Sequence, residues 1–237
     1  MRTLGNAEFF GLWERGFRRH PLDRALLALA AAFPDLSYES LADWPIGRRN
    51  QSLSKLFCQC FGLDLRAWTI CANCKEKLEF DMKPLLLTGR GFQEDNCLNE
   101  PVTANGRVFR IPTSRDLAQA ASATEPAAGA LRIVESCLIG ENPPAKWSDE
   151  ELSAIGERFA SADPLAEMCL TLHCPNCRTD WQETFDLVSF FWVHVEARAR
   201  QLLFAIHTLA STYGWSEADI LSMSENRRAV YMELLQS

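Results

Sequence analysis

Four of the nine cysteines stand in two pairs that have the same spacing. Cys71-Ala-Asn-Cys74 and Cys174-Pro-Asn-Cys177 each place two residues between the thiols, which lets both thiolates of a pair reach one metal ion. A single CxxC is equally typical of a redox dithiol, whereas two of them favour a four-thiolate zinc site. The sequence therefore predicts one structural Zn²⁺ held by Cys71, Cys74, Cys174 and Cys177.

A site closed by four thiolates has no open coordination position, so it cannot activate water as catalytic zinc does. His173 precedes Cys174 directly, and because adjacent residues seldom both reach one ion we expect it to be a strand residue. The sequence contains no Ser-His-Asp order, no phosphate-binding glycine loop and no HExxH motif. We therefore expect a protein that is not an enzyme.

The other five cysteines are expected to be ordinary thiols. Cys58 and Cys60 are too close for a metal-binding pair and lie in a helical stretch, which is typical of buried apolar thiols. Cys97, Cys137 and Cys169 stand alone. An odd cysteine count and the lack of a secretion signal at the N-terminus predict reduced thiols in the cytoplasm.

Each CxxC lies between two segments in which apolar and polar residues alternate, the period of half-buried strands. These segments are Leu65–Ile70 and 78–82 around the first pair, and 168–173 and 181–187 around the second. The pattern predicts an internal repeat of two β-hairpins with a CxxC at each tip. A zinc ribbon split by a long insertion follows from this arrangement.

The rest of the chain has mainly helical patterns. Expected helices cover 21–33, 37–43, 47–62, 131–138, 148–162, 188–213, 216–223 and a last segment from Ser224, with another beginning near Asp116 after a strand at 107–112. The Ala- and Ser-rich stretch 118–129 is expected to be a loop or a frayed helix end. The fold class is thus α+β, with a split four-cysteine ribbon surrounded by mainly α-helical segments.

Five regions follow from these patterns. They are a helical N-terminal region (1–63), the first zinc hairpin with the following strand (64–112), a helical insertion (113–164), the second zinc hairpin (165–187) and a helical C-terminal region (188–237).

The composition limits the classes of partner that we expect. Hydrophobic residues make up 47% of the chain, which predicts a globular fold, and the net charge is −7. The acidic net charge argues against nucleic acid as the main partner, since phosphate binding needs a basic face. The longest purely apolar run, from Ala25 to Phe33, is far shorter than a membrane-spanning helix requires.

The C-terminal segment 214–237 carries four acids and only Arg227 and Arg228 as bases, which disfavours a DNA-recognition helix. Two interpretations of its large apolar side chains stay open. They form either a docking surface for a partner or intramolecular core; they are Trp215, Ile220, Leu221 and Tyr231.

Several segments together resemble a known family, the baseplate-associated proteins encoded with phage contractile tails and related contractile injection systems. The segments are Leu12-Trp-Glu-Arg-Gly, Pro21-Leu-Asp-Arg-Ala-Leu, both CxxC turns, Arg110-Ile-Pro-Thr-Ser-Arg-Asp-Leu, Phe185-Asp-Leu-Val-Ser-Phe-Phe-Trp, and the block from His207-Thr-Leu-Ala-Ser-Thr-Tyr-Gly-Trp-Ser-Glu-Ala-Asp-Ile-Leu through Arg227-Arg-Ala-Val-Tyr-Met-Glu-Leu-Leu. The chain departs from the family's Cys-Pro-x-Cys-Gly pattern. Ala72 replaces the first proline, and Lys75 and Arg178 occupy the glycine positions.

The resemblance implies a non-enzymatic assembly or scaffold role in building the hub or baseplate. The partners it implies are other baseplate, hub, spike or tape-measure proteins, with the protein cytoplasmic or incorporated into a tail-like particle. One alternative is a zinc-ribbon nucleic-acid-binding protein, for which Arg66, Lys75, Lys77 and Arg178 are the nearby basic residues. Another is a thiol redox enzyme that uses one CxxC.

Overall fold

The amino-terminal helices pack against one long helix near the carboxyl end. The computed structural model describes residues 1–62, 65–82, 100–140 and 142–235. Its helices are α1 (Asn6–Gly16), α2 (Pro21–Ala32), α3 (Tyr38–Ala42), α4 (Ile46–Phe61), α5 (Ser114–Ala120), α6 (Pro126–Cys137), α7 (Asp149–Ala162), α8 (Leu187–Tyr213), α9 (Glu217–Ser222) and α10 (Glu225–Leu234). Its strands are β1 (Leu65–Ile70), β2 (Lys77–Met82), β3 (Val102–Ala104), β4 (Arg107–Phe109), β5 (Cys169–His173) and β6 (Asp180–Thr184). The expected α+β class is confirmed.

The main apolar core lies between α1, α2, α4 and α8. Leu12, Leu29, Phe57 and Val195 are among its fully buried members, one from each of these helices. Pro21 occupies the first turn of α2, where its missing N–H is no loss. Apolar side chains of both cysteine hairpins pack against this core, among them Ala67, Phe80 and Leu170.

Both predicted cysteine hairpins are present. Strands β1 and β2 pair antiparallel with Ala67 opposite Phe80, and β5 and β6 pair antiparallel with Leu172 opposite Trp181. Among the described residues each forms a separate two-stranded sheet. A two-stranded hairpin is only marginally stable alone, so these two depend on packing and on what links their tips.

A third hairpin was not predicted. Strands β3 and β4 are joined by Asn105-Gly106, whose φ angles of 50° and 76° place both turn residues in the left-handed region. The expected strand 107–112 ends at Phe109. Phe109 is fully buried in a second apolar cluster made by the insertion, together with Val134, Cys137, Trp147 and Ile155.

Two further expected boundaries were wrong. The stretch 118–129 contains the end of α5 and the start of α6, which begins at Pro126 rather than at residue 131 because proline suits the first helical turn. The expected strand 181–187 stops at Thr184. Asp186 then accepts a hydrogen bond from the Ser189 N–H and so caps the start of α8.

The insertion joins the helical core through buried polar groups. The Asp163 carboxylate accepts a 2.8 Å hydrogen bond from the Gly47 N–H in the first turn of α4. Asn50 donates to the carbonyl of Leu165 at 2.8 Å. Burial lowers the pKa of the neighbouring Arg49 to about 10, although nearby Asp186 and Asp163 act against this shift. These bonds fix the chain just before the second cysteine hairpin.

Helix α8 is the longest described element. It runs for 27 residues from the Asp186 cap to Gly214, whose φ of 69° ends it in the left-handed conformation. None of the helices in the described ranges combines the length and apolarity needed for a bilayer crossing.

Candidate metal centre

The four predicted ligands converge although about a hundred residues separate the two pairs. The four Sγ atoms all lie within 4.8 Å of one another. Cys71 Sγ lies 3.6 Å from Cys177 Sγ, and Cys74 Sγ lies 3.6 Å from Cys174 Sγ. Zn–S bonds of about 2.3 Å in a tetrahedron place the sulfur atoms about 3.8 Å apart, so this spacing fits one metal ion.

The two CxxC turns, called the first knuckle (residues 71–74) and the second knuckle (residues 174–177), have the same backbone geometry. The Cys71 N–H donates to the carbonyl of Glu76, and the Lys75 N–H donates to the carbonyl of Cys71. In the second knuckle, the Cys174 N–H bonds Thr179 and the Arg178 N–H bonds Cys174 in the same pattern. The local fold is therefore repeated, as the sequence predicts.

The residue after each knuckle adopts the conformation that glycine favours. Lys75 has a φ of 63° and Arg178 a φ of 59°. A side chain in this region costs about 1 kcal/mol relative to glycine. The absence of glycine therefore strains both turns without changing their geometry.

Further contacts join the hairpins below the sulfur atoms. The Thr69 hydroxyl of β1 donates to Glu183 Oε2 of β6 at 2.7 Å. Asn73 of the first knuckle donates to the Thr179 hydroxyl at 3.3 Å, and Asn176 of the second approaches Cys74 Sγ at 3.7 Å. The knuckles are thus oriented toward each other by side chains as well as by the thiols.

The pKa values of the two thiols in the second knuckle are shifted in opposite directions. The Thr179 hydroxyl and N–H lower the pKa of Cys177 to about 5. The N–H of Cys177 acts to lower the pKa of Cys174, but burial and hydrogen bonds with the Cys74 and Cys177 sulfur atoms raise it to about 11. Close thiolates repel one another, so one stays protonated unless a cation compensates the charge. This donor set suits a thiophilic divalent ion.

Burial also fits a closed structural site. Cys71 and Cys174 are fully buried, while Cys74 and Cys177 are half-buried. Four thiolates complete a tetrahedral shell and leave no position for water or substrate. Such an arrangement can crosslink two parts of a chain but cannot by itself supply hydrolytic chemistry.

Comparisons with family models, curated proteins and solved structures give no significant match to this chain.

The other described cysteines and His173 lie outside the cluster. Cys58 and Cys60 lie in α4, where burial raises the pKa of both thiols. Cys137 is buried in the insertion, and burial raises the pKa of its thiol to about 11. Cys97 lies outside the described residues. His173 is a residue of β5, as expected, and its Nδ1 lies 2.7 Å from Asp180 Oδ1.

One candidate binding site is not predicted by the sequence patterns. A cleft is lined by residues of the two cysteine hairpins and of α8. Glu183 and His194 supply polar groups to it. Alternation along β6 marks Trp181 and Glu183 as sharing a face, but nothing in the sequence places His194 beside them.

Proposed function

We propose that this protein is a non-enzymatic, zinc-stabilised assembly or scaffold protein that acts on the baseplate or hub of a phage-like contractile tail or injection system. A non-enzymatic role is supported by the closed four-sulfur cluster, which links two hairpins from distant parts of the chain. Zn²⁺ is the ion that best suits four cysteine thiolates in a structural site. Bound there, it would supply folding free energy rather than chemistry.

Exposed apolar side chains support a role in binding other proteins. On α8, Val193 is 62% exposed and Phe204 is 61% exposed; on β1, Trp68 is 62% exposed. Large apolar side chains exposed to this extent are available for contact with another protein. Two residues of the C-terminal segment, Ile220 and Arg228, are buried, so α9 and α10 contribute partly to the core.

The contractile-tail context rests on the sequence segments that resemble baseplate-associated proteins. It makes hub, spike and tape-measure proteins the expected partners. The expected location is the cytoplasm, followed by release or incorporation into the tail particle.

The charges around the knuckles favour a protein partner over nucleic acid. Lys75 and Arg178 follow the two knuckles, but Glu76 stands beside the first and Asp180 close to the second. Lys77 pairs with Glu79 at 3.2 Å. A zinc-ribbon nucleic-acid-binding protein needs a continuous basic face, which this mixture does not provide.

The test is capture of partners by the tagged, full-length protein from its native cells, with mass spectrometry of both the captured proteins and purified tail particles. Capture of hub, spike or tape-measure proteins supports the proposal. Presence in finished particles indicates a structural component, and absence from them an assembly factor. Recovery of nucleic acid or unrelated enzymes instead overturns the contractile-tail proposal.

A surface variant makes this experiment more specific. Phe204→Ser removes an exposed apolar side chain from α8 and should reduce partner capture while thermal unfolding stays unchanged. Gln201→Ser, on the exposed side of the same helix, is the matched control. Equal capture by both variants would show that this part of α8 is not the interaction surface.

A further inference from the structure

The cleft between the cysteine hairpins has a volume of about 280 Å³. Its walls come from the two hairpins and from α8, and they include Phe80, Leu170, Phe190 and Val193. Small-molecule sites usually measure about 300–1,000 Å³. The cleft lies at the lower edge of this range, a size that accommodates one long side chain.

Glu183, an exposed residue of β6, contributes a carboxylate to the largely apolar lining of this cleft. Its Oε2 atom accepts hydrogen bonds from the Thr69 hydroxyl at 2.7 Å and from Trp181 Nε1 at 3.3 Å. Both donors are neutral, so they orient the carboxylate without compensating its charge. Among the side chains that the structure describes, none that is cationic lies within salt-bridge distance of Glu183.

His194 of α8 also lines the cleft. Its Nδ1 lies 3.0 Å from the carbonyl oxygen of Phe190, and a carbonyl only accepts, so Nδ1 carries the proton. In the neutral ring Nε2 is then a hydrogen-bond acceptor. The ring is held by Phe57 and Phe190, with centroids 4.9 and 4.6 Å away.

The cleft thus combines apolar walls with one carboxylate that its neighbours orient. An anionic ligand would be repelled by Glu183, and a purely apolar side chain would bury the carboxylate without a partner. Arginine has an apolar stem and a planar cation with five N–H donors, which suits a carboxylate better than the single ammonium of lysine.

We propose that this cleft binds an arginine side chain of a partner protein, with its stem between Phe80 and Leu170 and its guanidinium at Glu183. The inference rests on the proposed function in one respect, since it identifies the chemistry of the partner. The knuckles hold the two walls of the cleft together, so the site exists only while the hairpins stay joined.

The test uses zinc-loaded, full-length protein with ¹³C-labelled leucine and valine methyl groups. The probes are the blocked tripeptide acetyl-Gly-Arg-Gly-amide and its citrulline analogue, which has nearly the same shape but no charge. We expect saturable NMR shifts at Leu170, Leu172 and Val193, with the citrulline peptide binding about tenfold more weakly. Glu183→Gln should weaken arginine binding to the citrulline level.

Glu79→Gln is the matched control, because Glu79 lies on the same hairpin pair but outside the cleft lining. It should leave the arginine titration unchanged. Equal binding of the two peptides, equal loss in both variants, or shifts only outside the cleft would overturn the proposal. None of these outcomes changes the metal content or the proteins captured from cells, so the proposed function fails or holds separately.

Discussion

Cys71 Sγ and Cys177 Sγ lie 3.6 Å apart, although 106 positions separate them in the chain. This contact, with its counterpart between Cys74 and Cys174, joins the ends of two hairpins that do not share a sheet. A metal ion bound here closes a long loop that includes the whole insertion. Metal binding and the folding of both hairpins are therefore expected to be coupled.

Glycine after each knuckle should relieve backbone strain. Lys75→Gly and Arg178→Gly each remove a side chain from a positive-φ position, and each should raise the free energy of unfolding by about 1 kcal/mol. Urea unfolding of the zinc-loaded protein measures this. The Lys75 variant also loses an exposed hydrogen bond to Ala72, so its gain should be the smaller.

Glu76→Gly is the control for these variants, because Glu76 is exposed and its φ is not positive. It should destabilise slightly, since glycine gives the unfolded chain more freedom. Destabilisation by all three substitutions would contradict the strained-turn interpretation.

Asp116 should be an important buried charge. Its side chain is 2% exposed, and it accepts hydrogen bonds from Arg110 at 2.6 and 2.7 Å, from Thr113 and from Ser136. Burial acts to raise its pKa, but these donors outweigh burial and hold the pKa well below the usual range. Asp116→Asn should lower the free energy of unfolding by about 2 kcal/mol at pH 7.

The stabilisation that ionised Asp116 supplies depends on pH, and the direction of the pKa shift determines how. Because the folded-state pKa lies below the unfolded value of about 3.9, the stabilisation is fully present above about pH 5 and is lost as the pH falls further. The difference in the free energy of unfolding between wild type and Asp116→Asn, measured by urea unfolding, should be smaller at pH 3 than at pH 7. Asp43→Asn, which removes an exposed ion pair with Arg115, should change stability by less than about 1 kcal/mol. A difference that widens in acid would be incompatible with this account.

Gly16 on α1 should be needed for the contact with α8. An added Cβ there would lie 2.1 Å from Trp192 Cη2, so Gly16→Ala should destabilise by about 1–3 kcal/mol. Gly11 lies on the same helix with no atom near its Cβ position, and Gly11→Ala should stabilise by up to about 1 kcal/mol. Thermal unfolding compares the two. Equal effects would mean that α1 does not pack on Trp192 as described.

Local patterns were enough to predict some features. The common spacing of the cysteines and the alternation around them predict both hairpins and the four converging thiols. Local capping signals also predict helix ends, as at Gly214, because the bonds that form them join residues close in sequence.

Other features depend on contacts between distant residues, and one follows from a turn signal that the hydrophobic pattern does not contain. Asn105-Gly106 is a strong hairpin signal, and it could have predicted the third hairpin. No local pattern places Asp163 against Gly47, because that bond spans 116 positions. For the same reason the sequence could not predict the cleft, whose walls come from three separate segments.

The most direct test of the shared metal site is the metal content of purified full-length protein after dialysis against metal-free buffer, measured by inductively coupled plasma mass spectrometry. Wild type and Cys169→Ser, whose exposed thiol lies outside the cluster, should retain about one zinc ion per chain. Cys177→Ser should lose it, and the hairpins on both sides of the insertion should then lose amide protection together. Wild-type protein without zinc, or Cys177→Ser with its zinc and amide protection intact, would contradict the account.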